Sequence, residues 1–350
     1  MFSAVFGSVE QGIIYAIMAL GVYLSFRVLD FPDLTVDGSF VTGASVAATM
    51  IFFGYNPLVA TIVAMALGFV AGCITGLLHT KGKINALLAG ILMMIALYSI
   101  NLRIMGLTTD SSVGRPTIPL FNTESLFSKF QVFWSTLGID KTINQFLSNL
   151  GIEYLPSTWG TLVIMILITL LIKFFVDGFL KTEVGLAIRA TGDNKKMIRS
   201  FSANTDTLVI IGLGFSNALV AFSGALFAQY SKVADIGMGI GMIIIGLASV
   251  IIGEAIFGTK TIMRTTLAVI AGAIIYRIVL GLALRINILD VGDTKFITAV
   301  IVICALILPQ ILEKRREKKR KSKRLMERWA EKDLMLKKEA TGVAEAKTNQ

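Results

Sequence analysis

Charge is scarce in this chain. Only 16% of its 350 residues are Asp, Glu, Lys or Arg, against 55% that are hydrophobic. A soluble domain needs roughly 25% charged residues to cover its surface. Water is therefore excluded as the main solvent, and the mean hydropathy of +0.75 agrees. Histidine is scarcer still, with His79 alone. A single histidine excludes an HExxH zinc site and leaves a Ser-His nucleophile pair almost without material. The two cysteines, Cys73 and Cys304, lie inside apolar runs. They exclude a disulfide scaffold and read as small buried hydrophobes. No metal site or cofactor is expected.

What basic charge there is sits at one end. Residues 313–350 carry 14 Lys+Arg and 7 Asp+Glu, leaving 19 and 16 to the rest. A nucleic-acid protein would spread its cations over a folded face with aromatic residues between them. A basic segment directly after an apolar span suits an anionic cytoplasmic leaflet instead. No nucleic-acid partner is expected; membrane lipid is.

A hydrocarbon core needs about 20 apolar residues per helix. Such runs fall near 8–26, 39–54, 57–78, 84–105, 158–177, 207–230, 237–257, 262–284 and 295–312. The expected fold is therefore all-α and polytopic, with about nine transmembrane helices in a transmembrane domain 1–312 and a basic cytoplasmic tail 313–350. No Lys or Arg precedes Arg27, so the first run lacks the basic leader of a signal peptide. Lys81, Lys83, the linker 178–206, Lys260, Arg264 and the tail fall on one side of a nine-span topology. The positive-inside rule then places the N-terminus outside and the C-terminus in the cytoplasm. The segment 107–156 becomes an extracellular insertion. Within it Ile143, Phe146, Leu147 and Leu150 share a helical face. Two readings stand: an interfacial helix anchored by Trp134 and Trp159, or a packed loop.

Small residues stripe the spans at Ala64, Gly68, Gly72 and Gly76, which favours close helix packing in lipid. Gly38-x4-Gly43-Ala-Ser45-Val46 resembles Gly241-x4-Gly246-Leu-Ala-Ser249-Val250 with one residue inserted. Under nine spans these copies run in opposite directions, which predicts an inverted repeat. Other glycine patterns lead nowhere. Gly253-x4-Gly258-Thr-Lys260-Thr261 is one residue too long for a phosphate loop and follows an apolar helix rather than a strand. Gly214-Phe-Ser216-Asn-Ala218 lacks the last glycine of a nucleophile elbow.

Two stretches carry chemistry. In the first, Pro32 and Gly38 bracket Asp33, Thr35 and Asp37, with Asp30 before them and Ser39 after. Proline and glycine should break the helix there. Irregular backbone at membrane depth belongs inside protein or along a watery cavity. The other reading is a turn in which Asp37 caps the second helix. The second stretch is Thr182-Glu-Val-Gly185-Leu-Ala-Ile188-Arg189-Ala190-Thr-Gly192-Asp193-Asn194. Thr182 can cap a short helix, Gly192 suits its C-terminal end, and Asp193 or Asn194 can cap another. Such an angular pair suits docking to a protein, or is a basic loop on the membrane. Arg277 lies well inside an apolar span, where it faces a cavity or pairs internally, with Glu254 or a carbonyl as partner.

Both stretches resemble permease subunits of ABC importers of the branched-chain amino-acid and ribose class. Thr182, Gly185, Ile188, Arg189, Ala190, Gly192, Asp193 and Asn194 are similar to that class's coupling region, which contacts the ATPase. Pro32–Phe40, with Ile84–Met94 and Tyr98–Gly106, is similar to a narrower group linked to tryptophan, tyrosine or branched-chain amino-acid uptake. The resemblance implies a multi-pass plasma-membrane subunit of bacterial type that is not itself an enzyme. Its implied partners are a separate ABC ATPase subunit, an extracellular substrate-binding protein and a second permease chain, identical or closely similar. The implied substrate path runs by Asp33, Thr35, Asp37, Gly38, Ser39 and Arg277. The alternative is a stand-alone ion-coupled secondary transporter, which would need intramembrane acids; Glu254 is the one candidate in the second-half spans.

Overall fold

The computed structural model describes residues 2–109, 114–121, 123–149, 158–201, 203–284 and 296–301, with positions 303, 307 and 326. In chain order the helices are α1 (Phe2–Val22), α2 (Thr35–Phe52), α3 (Pro57–Thr80), α4 (Ala86–Gly106), α5 (Leu126–Thr136), α6 (Ile139–Asn149), α7 (Gly160–Phe179), α8 (Glu183–Ser200), α9 (Thr205–Ser231), α10 (Met242–Phe257) and α11 (Ile262–Ala283). Eight are long and apolar enough to cross a membrane: all except α5, α6 and α8. The expected ninth span is helical over 296–301. The rest of it, and almost all of the tail, lie outside the described residues. The chain divides into residues 1–302, which hold every element named here, and 303–350.

The helices start where the sequence offers caps. Asn56, Asn85 and Asn204 each accept a backbone N–H two residues on, at 3.0–3.2 Å. Thr182 and Thr261 accept one three residues on. These side chains satisfy amides that a helix start leaves unpaired.

Helix α9 occupies the centre, against α1, α2 and α3. A Cβ on Gly43 would lie 1.8 Å from Ala221 O, and one on Gly72 would lie 2.2 Å from Leu213 O. Without those side chains α2 and α3 close onto the α9 backbone. Ser223 Oγ donates to Ile14 O at 2.8 Å and Ser216 Oγ to Gly21 O at 2.7 Å. Going up α1 therefore means going down α9, so the two run antiparallel.

The same partners recur with roles exchanged. Helices α2 and α3 pack on α9, whereas α10 and α11 pack on α1. Gly43 meets Ala221 of α9, and its counterpart Gly246 meets Val22 of α1. The inverted repeat read from the sequence is thus carried by equivalent contacts. One small addition to the all-α expectation is a ribbon of β1 (Thr117–Pro119) and β2 (Val233–Asp235), antiparallel with Ile118 opposite Ala234. It marks one end of the bundle, and α8 marks the other.

Candidate functional site

The chain leaves α1 through a π-helical turn, Tyr23–Val28, and then runs irregularly to α2. Asp30 adopts a φ of 52° there, a left-handed conformation that Asp tolerates better than most residues. Asp33 is fully buried. Its Oδ1 accepts from Thr35 N at 2.9 Å and its Oδ2 from Asn217 Nδ2 at 2.6 Å. Thr35 and Thr75 share a hydroxyl hydrogen bond of 2.8 Å. The break is therefore fastened to α3 and α9, and Asp33 accepts the first amide of α2.

Asp37 does not cap its own helix. It accepts from Gly241 N at 3.0 Å and Ile243 N at 2.8 Å, the start of α10. The reading of Asp37 as the α2 cap is corrected: Leu34 holds the cap position, and Asp33 just before it accepts the first helical amide, Thr35 N. Beside Asp37 lies an open-sided cavity of about 380 Å³. Asp37, Gly38 and Val41 of α2 line it, facing Met94, Ile95, Tyr98, Ser99 and Asn101 of α4. Ile236, Gly239 and Ile240, from the irregular approach to α10, complete it. Asn101 fixes the wall by donating to Gly38 O at 3.2 Å.

Of the expected path residues, Asp37 and Gly38 reach this cavity. Asp33, Thr35 and Ser39 are buried behind it. Arg277 is elsewhere, its guanidinium 4.2 Å from the Tyr15 ring centroid. The suggested partner Glu254 is taken by Arg27 at 3.1 Å, so that pairing is corrected. A cation over an aromatic face is a favourable use of a desolvated guanidinium.

At the opposite end α8 bears out its N-cap: Thr182 Oγ1 accepts from Gly185 N at 3.2 Å. Its joint differs from expectation. The helix runs on through Gly192 and bends at Asn194, at φ −156° and ψ 87°. Asn194 Oδ1 then accepts from Met197 N at 3.0 Å and caps the second half. Gly192 serves closeness instead of termination, since a Cβ there would lie 2.1 Å from Val28 O. Ile188 is buried in the main core with Leu29 and Leu213. Helix α8 is thus seated on the π-helical end of α1. Arg189 and Asp193 line a polar cavity of about 550 Å³ with Arg27, Glu254 and Lys260. Ala190 is half-buried beside them.

Sequence reasoning missed Lys173 and Asp177 of α7, buried to 2% and 5% and paired at 2.6 Å. Thr266 Oγ1 of α11 donates to Asp177 Oδ1 at 2.7 Å. Their four-residue spacing inside an apolar run was the available signal. It missed the polar bridges of α9 as well. Gln229 Nε2 donates to Thr61 Oγ1 at 2.8 Å, and its Oε1 accepts from Leu126 N at 3.0 Å.

Residues 4–308 match the family described as branched-chain amino acid transport system / permease component. The chain is 38% identical over 304 residues to the tyrosine transport system permease protein of Clostridioides difficile (strain R20291), spanning 87% of this chain and 90% of that one. It is 25% identical over 307 residues to the ribose import permease protein RbsC of Escherichia coli (strain K12), spanning 86% and 84%. A solved inward-facing ABC transporter aligns over 88% of this chain and 84% of its own at 16% identity, with a TM-score of 0.45.

Proposed function

The chain belongs to the branched-chain amino acid transport system permease family, and from that premise we propose that it forms the membrane path of an ATP-driven importer for an amino acid. In this reading two copies enclose the path, and an extracellular binding protein delivers the solute. A separate ATPase docks on α8, so the α8 end faces the cytoplasm. The tyrosine transport permease among its relatives supports an amino acid as cargo.

One observation carries the reading. Gly192 of α8 touches Val28, and nine residues further along the chain Asp37 borders a cavity and holds the start of α10. A push on α8 therefore reaches two cavity-lining elements through one short, hydrogen-bonded segment. Differential affinity of the ATPase for two arrangements of that segment would supply the bias for alternating access.

Arg189→Glu tests it in the complex reconstituted with its ATPase. Arg189 is partly exposed on α8, away from the main core, so membrane abundance should hold. ATP-driven uptake and co-purified ATPase should both fall. Wild-type uptake by this variant would remove α8 as the docking element.

A further inference from the structure

The cavity beside Asp37 has a polarity that selects among solutes. Its walls are mostly aliphatic or thioether: Val41, Met94, Ile95, Ile236 and Ile240. Tyr98, half exposed at 51%, adds an aromatic face. Among the described residues, Asp37 is the one charged side chain lining it. A carboxylate offers about four lone-pair sites. Gly241 N and Ile243 N occupy one on each oxygen of Asp37. The Met242 amide lies beside the same carboxylate, and the group is half-buried and lines the cavity, which leaves it capacity for one further donor there.

Resting on the importer reading above, we propose that Asp37 receives the α-ammonium of a zwitterionic amino acid whose side chain is apolar or aromatic. An ammonium brings three donors and no acceptor, which matches a carboxylate already supplied with donors on its other face. Tyr98 and Ser99 line the same cavity and each carries a hydroxyl that can donate to the solute carboxylate. About 380 Å³ suits a single small ligand. A sugar would need many more polar partners than these walls provide. An α-hydroxy acid would set a second group of acidic chemistry against Asp37 with no cation between them.

Because Asp37 also caps α10, solute binding and the position of the α10 start are read by one side chain. The cap has to share its carboxylate with the ammonium once the solute arrives. Asn at position 37 keeps one acceptor oxygen for α10 but loses the charge that favours the ammonium.

The permease–ATPase complex in nanodiscs, without a binding protein to filter solutes, gives the test. Ile95→Cys, on the exposed cavity wall, is introduced after replacing Cys73 and Cys304, and its modification by a cationic methanethiosulfonate is timed. L-tyrosine or L-leucine should slow labelling about tenfold or more at saturation, while 4-hydroxyphenyllactate and ribose leave it unchanged. Adding Asp37→Asn should raise the amino-acid concentration needed for protection about tenfold or more, the worth of one charge-assisted hydrogen bond. The solute comparison needs no change at Asp37, so it stands even if Asp37→Asn fails to assemble. Equal protection by the hydroxy acid, unchanged protection in Asp37→Asn, or no protection in a complex that imports amino acids would each overturn the assignment. Failure of the importer reading is separate: it is seen as a complex that holds no ATPase or moves no amino acid.

Discussion

Among the described residues, removing Lys173 would leave the buried Asp177 carboxylate with the Thr266 hydroxyl as its one side-chain hydrogen-bond partner. Breaking a buried ion pair from one side costs about 3–5 kcal/mol, whereas replacing both members by apolar residues of similar size is often neutral. Lys173→Ala should therefore lower the thermal midpoint of the detergent-purified protein markedly. The double variant Lys173→Met, Asp177→Leu should recover most of it. A double variant as unstable as the single one would mean that the pair does more than neutralise itself. At this scale the sequence was only partly legible. Thr182, Asp37 and Asn194 were recognisable as cap chemistry, because Thr, Asp and Asn side chains accept backbone N–H groups wherever they fall. Which helix Asp37 caps was not legible. The start of α10 lies 204 residues away and only folding brings it there.

Among elements, α5 and α6 form a corner built on one carboxylate. Asp140 Oδ1 accepts from Trp134 Nε1 at 2.7 Å and from Trp159 N at 3.1 Å. Trp159 Nε1 reaches Asn144 Oδ1 at 2.9 Å. Helical spacing near 141–150 is legible in the residues alone, and α6 is there as Ile139–Asn149. The two tryptophans read as interface anchors hydrogen-bond to Asp140 and Asn144 of α6, which no local pattern announces. Asp140→Ala should loosen this corner without disturbing the long helices. Limited proteolysis should then cut between α5 and α7 several-fold faster, with tryptophan emission shifted to the red. Unchanged cleavage would place the hold elsewhere. The same limit applies to the small-residue stripe. Gly68 and Gly72 read correctly as a packing face, but that α9 fills the groove emerged only in three dimensions.

Across the whole bundle, the pattern of apolar runs was the clearest message in the chain, since a membrane leaves backbone polar groups no partner but their own helix. The eight described spans fall close to the first eight runs. The π-helical exit of α1 and the unwound approaches to α2 and α10 were less visible. Their freed amides find partners that no periodicity shows: Leu29 N and Phe31 N donate to Leu24 O and Ser25 O, Thr35 N to Asp33, and Gly241 N to Asp37. The orientation proposed above has a direct check in intact cells. A cysteine at Gln131, exposed on α5, should react with an impermeant thiol reagent. One at Lys260, in the turn between α10 and α11, should react only after the membrane is opened. The reverse pattern would turn the bundle over and take α8 away from a cytoplasmic ATPase.

The four-residue spacing of Lys173 and Asp177 has a meaning before the protein has any tertiary structure. Charges in a nascent span resist entry into the bilayer, by about 2.5–3.5 kcal/mol each at its centre and by less toward the end where Lys173 and Asp177 lie. Lys and Asp one helical turn apart can neutralise each other as soon as α7 coils, with no other helix present. The segment can then pass from the translocon into lipid as a dipole instead of two ions. Helix α7 directly precedes α8 in the chain. A failure of that one insertion step would leave α8 on the wrong side and reverse every span after it.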